Sequence, residues 1–165
     1  MGKKIILENI SIRTGLNPGD IGFVNYLHGY LIAKEFGLFC DTYIAEGLIE
    51  FYNNYDKNLD KVWICEYERK IIGSIFLMHR DNLTAQLRYF ILEPEFRGIG
   101  LGSKLMNLYM EFFHHCRYKK SYLWTINEFV NATNLYKKTG FKLTEEKESD
   151  RFGKRTIEQR YDLLI

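Results

Sequence analysis

Arg97-Gly98-Ile99-Gly100-Leu101-Gly102 is the stretch on which the reading of this chain turns. It lies between a β-rich run that ends at Leu92 and an apolar series, Leu101, Leu105, Leu108, Phe112 and Cys116. The spacing of that series predicts an amphipathic helix that begins inside the glycines. A strand-to-helix junction of this kind aims free backbone N–H groups and the positive end of a helix dipole at one spot, which suits phosphate. Without side chains at Gly98, Gly100 and Gly102 a bulky pyrophosphate can approach the backbone closely, and Arg97 adds charge. Spacing excludes two other phosphate loops. A Walker loop needs Gly-Lys-Ser/Thr, whereas Gly102 precedes Ser103-Lys104, and a dinucleotide fingerprint needs glycine where Ser103 stands. On this motif alone, a glycine-rich turn that holds nothing stays open.

Upstream of the glycines, VWICEY from Val62 and KIIGSIFLM from Lys70 are strand-like runs joined at Glu68-Arg69. A third run, Thr84 to Leu92, follows the Asp81-Asn82 turn, which predicts an antiparallel meander. Further upstream, Ile10 to Arg13 alternates like a short strand, and Asn17-Pro18 reads as a helix cap and first turn. Ile21, Val24, Leu27, Leu31 and Phe36 continue that helix to Gly37. Asp41 then caps a second helix, with Ile44, Leu48, Tyr52 and Tyr55 on one face. Downstream, Ser121 to Thr125 reads as a strand and Val130 to Lys138 as a helix, with Gly140 at its left-handed C′ position. Two strands, Phe141 to Lys147 and Thr156 to Leu164, meet near Gly153 and close the chain. The order β-α-α-β-β-β-α-β-α-β-β has no repeat, linker or change of composition. Residues 1–165 therefore read as one α+β or mixed α/β domain.

Composition excludes several classes of protein. Apolar residues make up 46% and charged residues 27%, as in globular proteins rather than disordered ones. Twenty-three Lys and Arg against 21 Asp and Glu leave a net charge of +2, too little to favour nucleic acid or acidic lipid as partners. Cys40, Cys65 and Cys116 lack CxxC spacing, so reduced thiols are expected rather than disulfides or zinc. The pair His114-His115 points to different sides of its helix, which makes a poor metal site. Lys3 and Lys4 precede an apolar run that Glu8 interrupts too early for a signal peptide or membrane span. Gly2 lacks the Ser or Thr at position 6 that myristoylation wants. A soluble, cytoplasmic chain with no metal is expected.

Arg97-x-x-Gly100-x-Gly102 at a strand-to-helix junction resembles motif A of the GNAT acetyltransferases. The approach Leu92-x-Pro94-Glu95-Phe96-Arg97-Gly98 and the later Ala132-x-x-Leu135-Tyr136-x-x-x-Gly140-Phe141 look like that family's neighbouring segments. A closer likeness is to the acetyltransferase half of bacterial proteins fused to a MarR-type DNA-binding domain. Pro18-Gly19-Asp20-Ile21-Gly22, His28-Gly29, Glu35-Phe36-Gly37, Leu123-Trp124-Thr125 and Phe152-Gly153 carry it. The resemblance implies a single GNAT-type domain, a mostly antiparallel mixed sheet of about seven strands flanked by about four helices. It also implies acetyl-CoA as cosubstrate and N-acetylation of a primary amine on a small molecule, amino acid, protein lysine or N-terminus.

By that resemblance, Gly98, Ile99, Gly100, Leu101, Gly102 and Ser103 hold the pyrophosphate with Arg97, and the backbone of Phe90, Ile91 and Leu92 pairs with the pantetheine arm. Asn131 and Asn134 bond the cosubstrate or simply face solvent. Tyr136 matches a tyrosine that protonates the departing thiolate, or is a core tyrosine. Many members carry Glu on the strand before the loop, but this chain has Gln86 there, which leaves water beside Gln86 or a backbone carbonyl as the route for the amine proton, or Glu35 or another carboxylate of the first two helices as the base. Arg88 recognises a substrate carboxylate or is a surface strand residue. His28 and Glu35 lie on similar faces of the first helix near the acceptor, or are a half-buried His and a solvated Glu. A non-catalytic acyl-CoA sensor or interaction module is the competing function, and whether the chain forms a homodimer stays open.

Overall fold

The computed structural model describes residues 5–165, so the readings of Gly2, Lys3 and Lys4 lie outside the described residues. In chain order the elements are β1 (Ser11–Thr14), α1 (Asp20–Phe36), α2 (Asp41–Asn53), β2 (Lys61–Tyr67), β3 (Lys70–His79) and β4 (Thr84–Leu92). There follow α3 (Leu101–His115), β5 (Lys120–Ile126), α4 (Val130–Thr139), β6 (Lys142–Ser149) and β7 (Thr156–Leu164). One sheet holds the strands in the order β1-β2-β3-β4-β5-β7-β6. Only β4 and β5 pair in parallel, and every other neighbouring pair is antiparallel. Among the described residues no helix is long and apolar enough to cross a membrane.

Period-two alternation divides the sheet into two apolar faces. Trp63, Cys65, Ile75, Leu77, Ala85 and Leu87 share a core with α3 and with Tyr136 of α4. Val62, Ile64, Phe76 and Met78 face the other way, against Val24 of α1 and Ile44, Leu48 and Phe51 of α2. The bare outer strand β6 is exposed along nearly its whole length and reads KLTEEKES, a charged edge that discourages pairing with other chains.

Element order and most boundaries agree with expectation, but several local readings need correction. Cys40 and not Asp41 is the N-cap of α2, and Tyr55 lies past the end of that helix. Pro18 is outside α1. The helix starts at Asp20 with Gly19 as a left-handed N-cap (φ 93°), and Asp20 accepts hydrogen bonds from the Asn17 N–H (2.6 Å) and the Arg13 guanidinium (2.7 and 2.9 Å). On α2 the buried aromatic is Phe51, while Tyr52 is 62% exposed. On α3 the buried stripe is Leu101, Leu105, Met106, Tyr109 and Phe113, with Leu108 and Phe112 at its margin. Tyr109 and Phe113 are as apolar in bulk as Leu108 and Phe112, so spacing alone allowed either phase.

Candidate active site

The strands β4 and β5 pair only through Thr84–Lys120, Ala85–Ser121 and Gln86–Tyr122. Beyond Gln86 they diverge, although β4 runs on to Leu92 and β5 to Ile126. A cleft of about 880 Å³ opens there, walled by Leu87–Leu92, Trp124–Ile126, the start of α4 and the glycine turn. One row of β4 backbone groups thus has no strand partner on the β5 side, and such groups demand hydrogen bonds from elsewhere.

A bulge in β4 accompanies the divergence. Ser74 pairs with Ile91 and Phe76 with Arg88, so the single residue Ile75 stands against both Tyr89 and Phe90. Tyr89 takes a left-handed φ of 52°, a strained conformation for a bulky residue, and the Ser74 hydroxyl donates to its carbonyl oxygen at 2.7 Å. The extra residue reverses the alternation. Leu87 and Leu92 belong to the α3 core and Phe90 packs against it, whereas Tyr89 belongs to the α2 core. Arg88 lies beside Tyr89, its guanidinium 4.8 Å from that ring's centre.

Gly98 (φ 75°) and Gly100 (φ 90°) both adopt left-handed backbone, and Gly100 is the N-cap of α3. The first intrahelical hydrogen bond runs from Lys104 N–H to Gly100 O (3.0 Å), so the N–H groups of Leu101, Gly102 and Ser103 precede the ladder. A Cβ at Gly98 would meet no atom within 4 Å, so this space is open to a ligand. Gly102 is different: a Cβ there would press on Leu135 at 3.2 Å, so its smallness serves helix packing. The Ile99 and Leu101 side chains turn to the core, leaving only their backbone for a ligand, while Ser103 lines the cleft. Arg97 donates through Nε to Leu92 O (2.9 Å) and through both terminal nitrogens to Glu35 (2.7 Å each). Glu35 therefore sits beside the glycine turn.

Asn131 and Asn134 are exposed on α4 and line the same cleft. Tyr136 is buried between Phe90 (6.1 Å between ring centres), Phe141 (6.3 Å) and Tyr161 (6.3 Å). No described residue hydrogen-bonds its hydroxyl, and burial pushes its pKa well above the usual tyrosine range, so the group stays a phenol.

A smaller cavity of about 310 Å³ adjoins the mouth, lined by Tyr43, Gly47, Glu50, Arg80, Gln86 and Arg88 among others. Gln86 Oε1 accepts from Arg80 Nε (2.7 Å), from Arg80 Nη2 and from the Tyr122 hydroxyl (3.3 Å). Three donors fix the oxygen on that side, so only the amide N–H groups are left for a ligand or water. His28 is buried on α1, with Nδ1 2.8 Å from Val24 O. A carbonyl can only accept, so Nδ1 carries the proton. Burial, opposed by that bond and assisted by Arg88, lowers its pKa to about 4, which leaves Nε2 as a neutral acceptor. Arg80, Glu50 and Gly47 were not foreseen, because charged residues at a strand end and on a helix carry no motif.

A long phosphorylated thioester needs a seat for its pyrophosphate, unpaired strand groups along its arm and a dry place for its sulfur. The fold and cleft offer all three, and the class they define is that of acyl-CoA-dependent acyltransferases. The chain belongs to the acetyltransferase (GNAT) family, whose sequence model matches residues 24–141. It is 30% identical over 118 residues to the uncharacterized N-acetyltransferase YjgM of Escherichia coli (strain K12), covering 67% of this chain and 70% of that one. In fold it is similar to an acetyltransferase from Streptococcus agalactiae 2603, with a TM-score of 0.79 and 24% identity over 96% of this chain and 100% of that one. A GNAT family acetyltransferase from Elizabethkingia anophelis with acetyl-CoA bound gives 0.67 and 18% identity over 96% and 99% of the two chains. Membership makes the chain an acyltransferase, and acetyl-CoA-dependent acetyl transfer is the family's reaction.

Proposed function

We propose that the chain transfers an acetyl group from acetyl-CoA to the nitrogen of a primary amine. The observation that carries this reading is the divergence of β4 from β5 between a glycine-capped helix start and a buried phenol. The amides of Gly98 to Ser103 would hold the pyrophosphate, and Arg97 would exchange its bond with Glu35 for phosphate oxygen. Asn131 and Asn134 would hold polar atoms of the arm, and the unpaired backbone of Phe90 to Leu92 its amides.

In the transfer step the amine nitrogen forms a bond to the acetyl carbon while the C–S bond breaks. Tyr136 gives its hydroxyl proton to the leaving sulfur and is reprotonated from solvent. The amine attacks in its neutral form. Its remaining surplus proton passes to water, since no carboxylate occurs between Thr84 and Leu92, the Gln86 oxygen is occupied, and Glu35 stands beside the glycine turn at the pyrophosphate end of the cleft.

Thiol release from acetyl-CoA across a panel of amines tests the reaction, with calorimetry of acetyl-CoA binding beside it. Gly100→Asp puts a carboxylate where the pyrophosphate is to sit and should weaken acetyl-CoA at least ~100-fold in a protein that still folds. Unchanged affinity would remove the cosubstrate assignment. Tight binding with no turnover on any amine would make the chain a sensor instead.

A further inference from the structure

The cavity beside the mouth contains an arginine that the fold leaves without a hydrogen bond. Arg88 is 11% exposed at its side chain, and its nearest carboxylate, Glu50 Oε2, stands 3.7 Å away. The other oxygen of that carboxylate, Glu50 Oε1, receives Arg80 Nη1 at 2.5 Å, so the contact to Arg88 is a long ion pair without a hydrogen bond. Arg80 in turn spends its other donors on Gln86. Arg80, Glu50 and Gln86 are therefore hydrogen-bonded to one another, whereas Arg88 has only its long ion pair with Glu50. A guanidinium has five N–H donors, and withdrawing it from water without hydrogen bonds is costly.

Its placement is specific. The bulge turns Arg88 and Tyr89 to the same side of β4, and the guanidinium lies 4.8 Å from the Tyr89 ring centre and 5.8 Å from that of Tyr43. These faces restrain the plane of the group. Gly47 of α2 makes the room, because a Cβ there would collide with Arg88 Nη2 and Tyr89 Oη. Arg88 lines both the large cleft and the small cavity, at the junction where an amine and a thioester would meet. Of the acidic side chains lining the small cavity, Glu50 is shared between Arg80 at 2.5 Å and Arg88 at 3.7 Å, and Glu46 is exposed on α2.

We infer that the acceptor is a small amine that also carries a carboxylate, and that Arg88 is the residue that receives this group. The inference rests on the amine-acetylation reading above. A carboxylate presents two coplanar oxygens to the fork of a restrained guanidinium, which a single-point cation contact would not require. A cavity of about 310 Å³ suits a free amino acid more than the surface of a folded protein. A polyamine would bring positive charge against both Arg88 and Arg80, with Glu50 already shared between those two guanidinium groups.

The test uses the twenty amino acids and β-alanine, each paired with its amide, together with spermidine and O-phosphoethanolamine, in thiol-release assays. Calorimetry of the enzyme–CoA complex with the N-acetylated acids and N-acetylated amides reads the same site without turnover. At least one acid should exceed its amide ~10-fold or more in kcat/KM, because a site built to pair a charged group rejects the analogue that lacks it. Arg88→Met should bring that ratio near one while acetyl-CoA affinity stays within about two-fold, and Arg88→Lys should keep part of the preference. Preference for the amides or spermidine, or a ratio unchanged in Arg88→Met, overturns the carboxylate assignment and leaves the acetyltransferase reading standing. Preference for O-phosphoethanolamine replaces the carboxylate with phosphate and overturns it as well. Arg88-dependent binding of acids without turnover of any amine keeps the anion site and removes the reaction. Neither turnover nor binding of any acid overturns the inference outright.

Discussion

Tyr136 and His28 are both buried and both titratable, yet burial fits them for opposite tasks. For the tyrosine, desolvation disfavours the phenolate, so the proton is retained at neutral pH and is available to a leaving thiolate. Tyr136→Phe should lower kcat about ten-fold or more and leave acetyl-CoA affinity nearly unchanged, as for loss of a proton donor rather than a binding group. Binding and turnover measured on the same preparation decide it, and full turnover would return Tyr136 to a packing role between Phe90 and Tyr161. For the histidine, desolvation disfavours the imidazolium and lowers the pKa from 6.5 to about 4. Between those values the unfolded chain binds the proton and the folded chain does not, so stability falls as pH drops from 6.5 toward 4 and is fully present above 6.5. The full effect is about 3 kcal/mol. His28→Gln keeps a donor for Val24 O but does not titrate. Denaturant melts at pH 7 and pH 4.5 should show a smaller acid loss in the variant, and equal losses would show that His28 is not buried neutral.

At the scale of elements, the sequence disclosed what has a local cause. Gly140 terminates α4 with φ 108°, the Glu68-Arg69 turn is left-handed at both residues (φ 48° and 66°), and α3 begins inside the glycine run, at Leu101, as its spacing predicts. What stayed hidden depends on partners distant in the chain. Nothing in Thr84 to Leu92 announces the bulge, because it arises from Ile75 standing opposite two residues and from a hydroxyl on Ser74. For Arg88 the sequence could offer a carboxylate receiver or a surface residue without choosing between them, and for Gln86 only the positioning of water, since their neighbours Gly47, Glu50 and Arg80 come from α2 and from the residue after β3. The phase of α3 was ambiguous for a related reason: its apolar residues outnumber one face, and the sheet selects among them. Leu105, fully buried, should lose about 2–5 kcal/mol on replacement by Ala, whereas Leu108→Ala at the margin should lose less than half as much. Urea unfolding of the two variants separates the phases, and equal losses would favour the face that spacing first suggested.

Over the whole molecule, the sheet is joined at its centre by its shortest interior seam. Three register pairs connect β4 to β5, against seven between β2 and β3 and seven between β5 and β7. The halves are otherwise held by helices, above all α3, whose buried side chains share one core with residues of β2, β3, β4 and β7. A fold with so short a central seam leaves part of β4 hydrogen-bonded on the β3 side alone, and that part is the proposed seat of the acetyl-CoA arm. Amide hydrogen exchange should therefore divide β4. In the free protein the N–H groups of Thr84 to Gln86 should exchange slowly, and those directed toward β5 from Leu87 to Leu92 much faster. Saturating acetyl-CoA should slow the second set, together with the amides of Gly98 to Ser103, by ~10-fold or more beyond the general stabilisation that any ligand of the native state confers. The contrast between sets is the diagnostic, since general stabilisation would slow slow-exchanging core amides alone. Protection confined to the glycine turn would mean that the cosubstrate is held by its phosphates without its arm entering the cleft, and the role given to Phe90, Ile91 and Leu92 would fall.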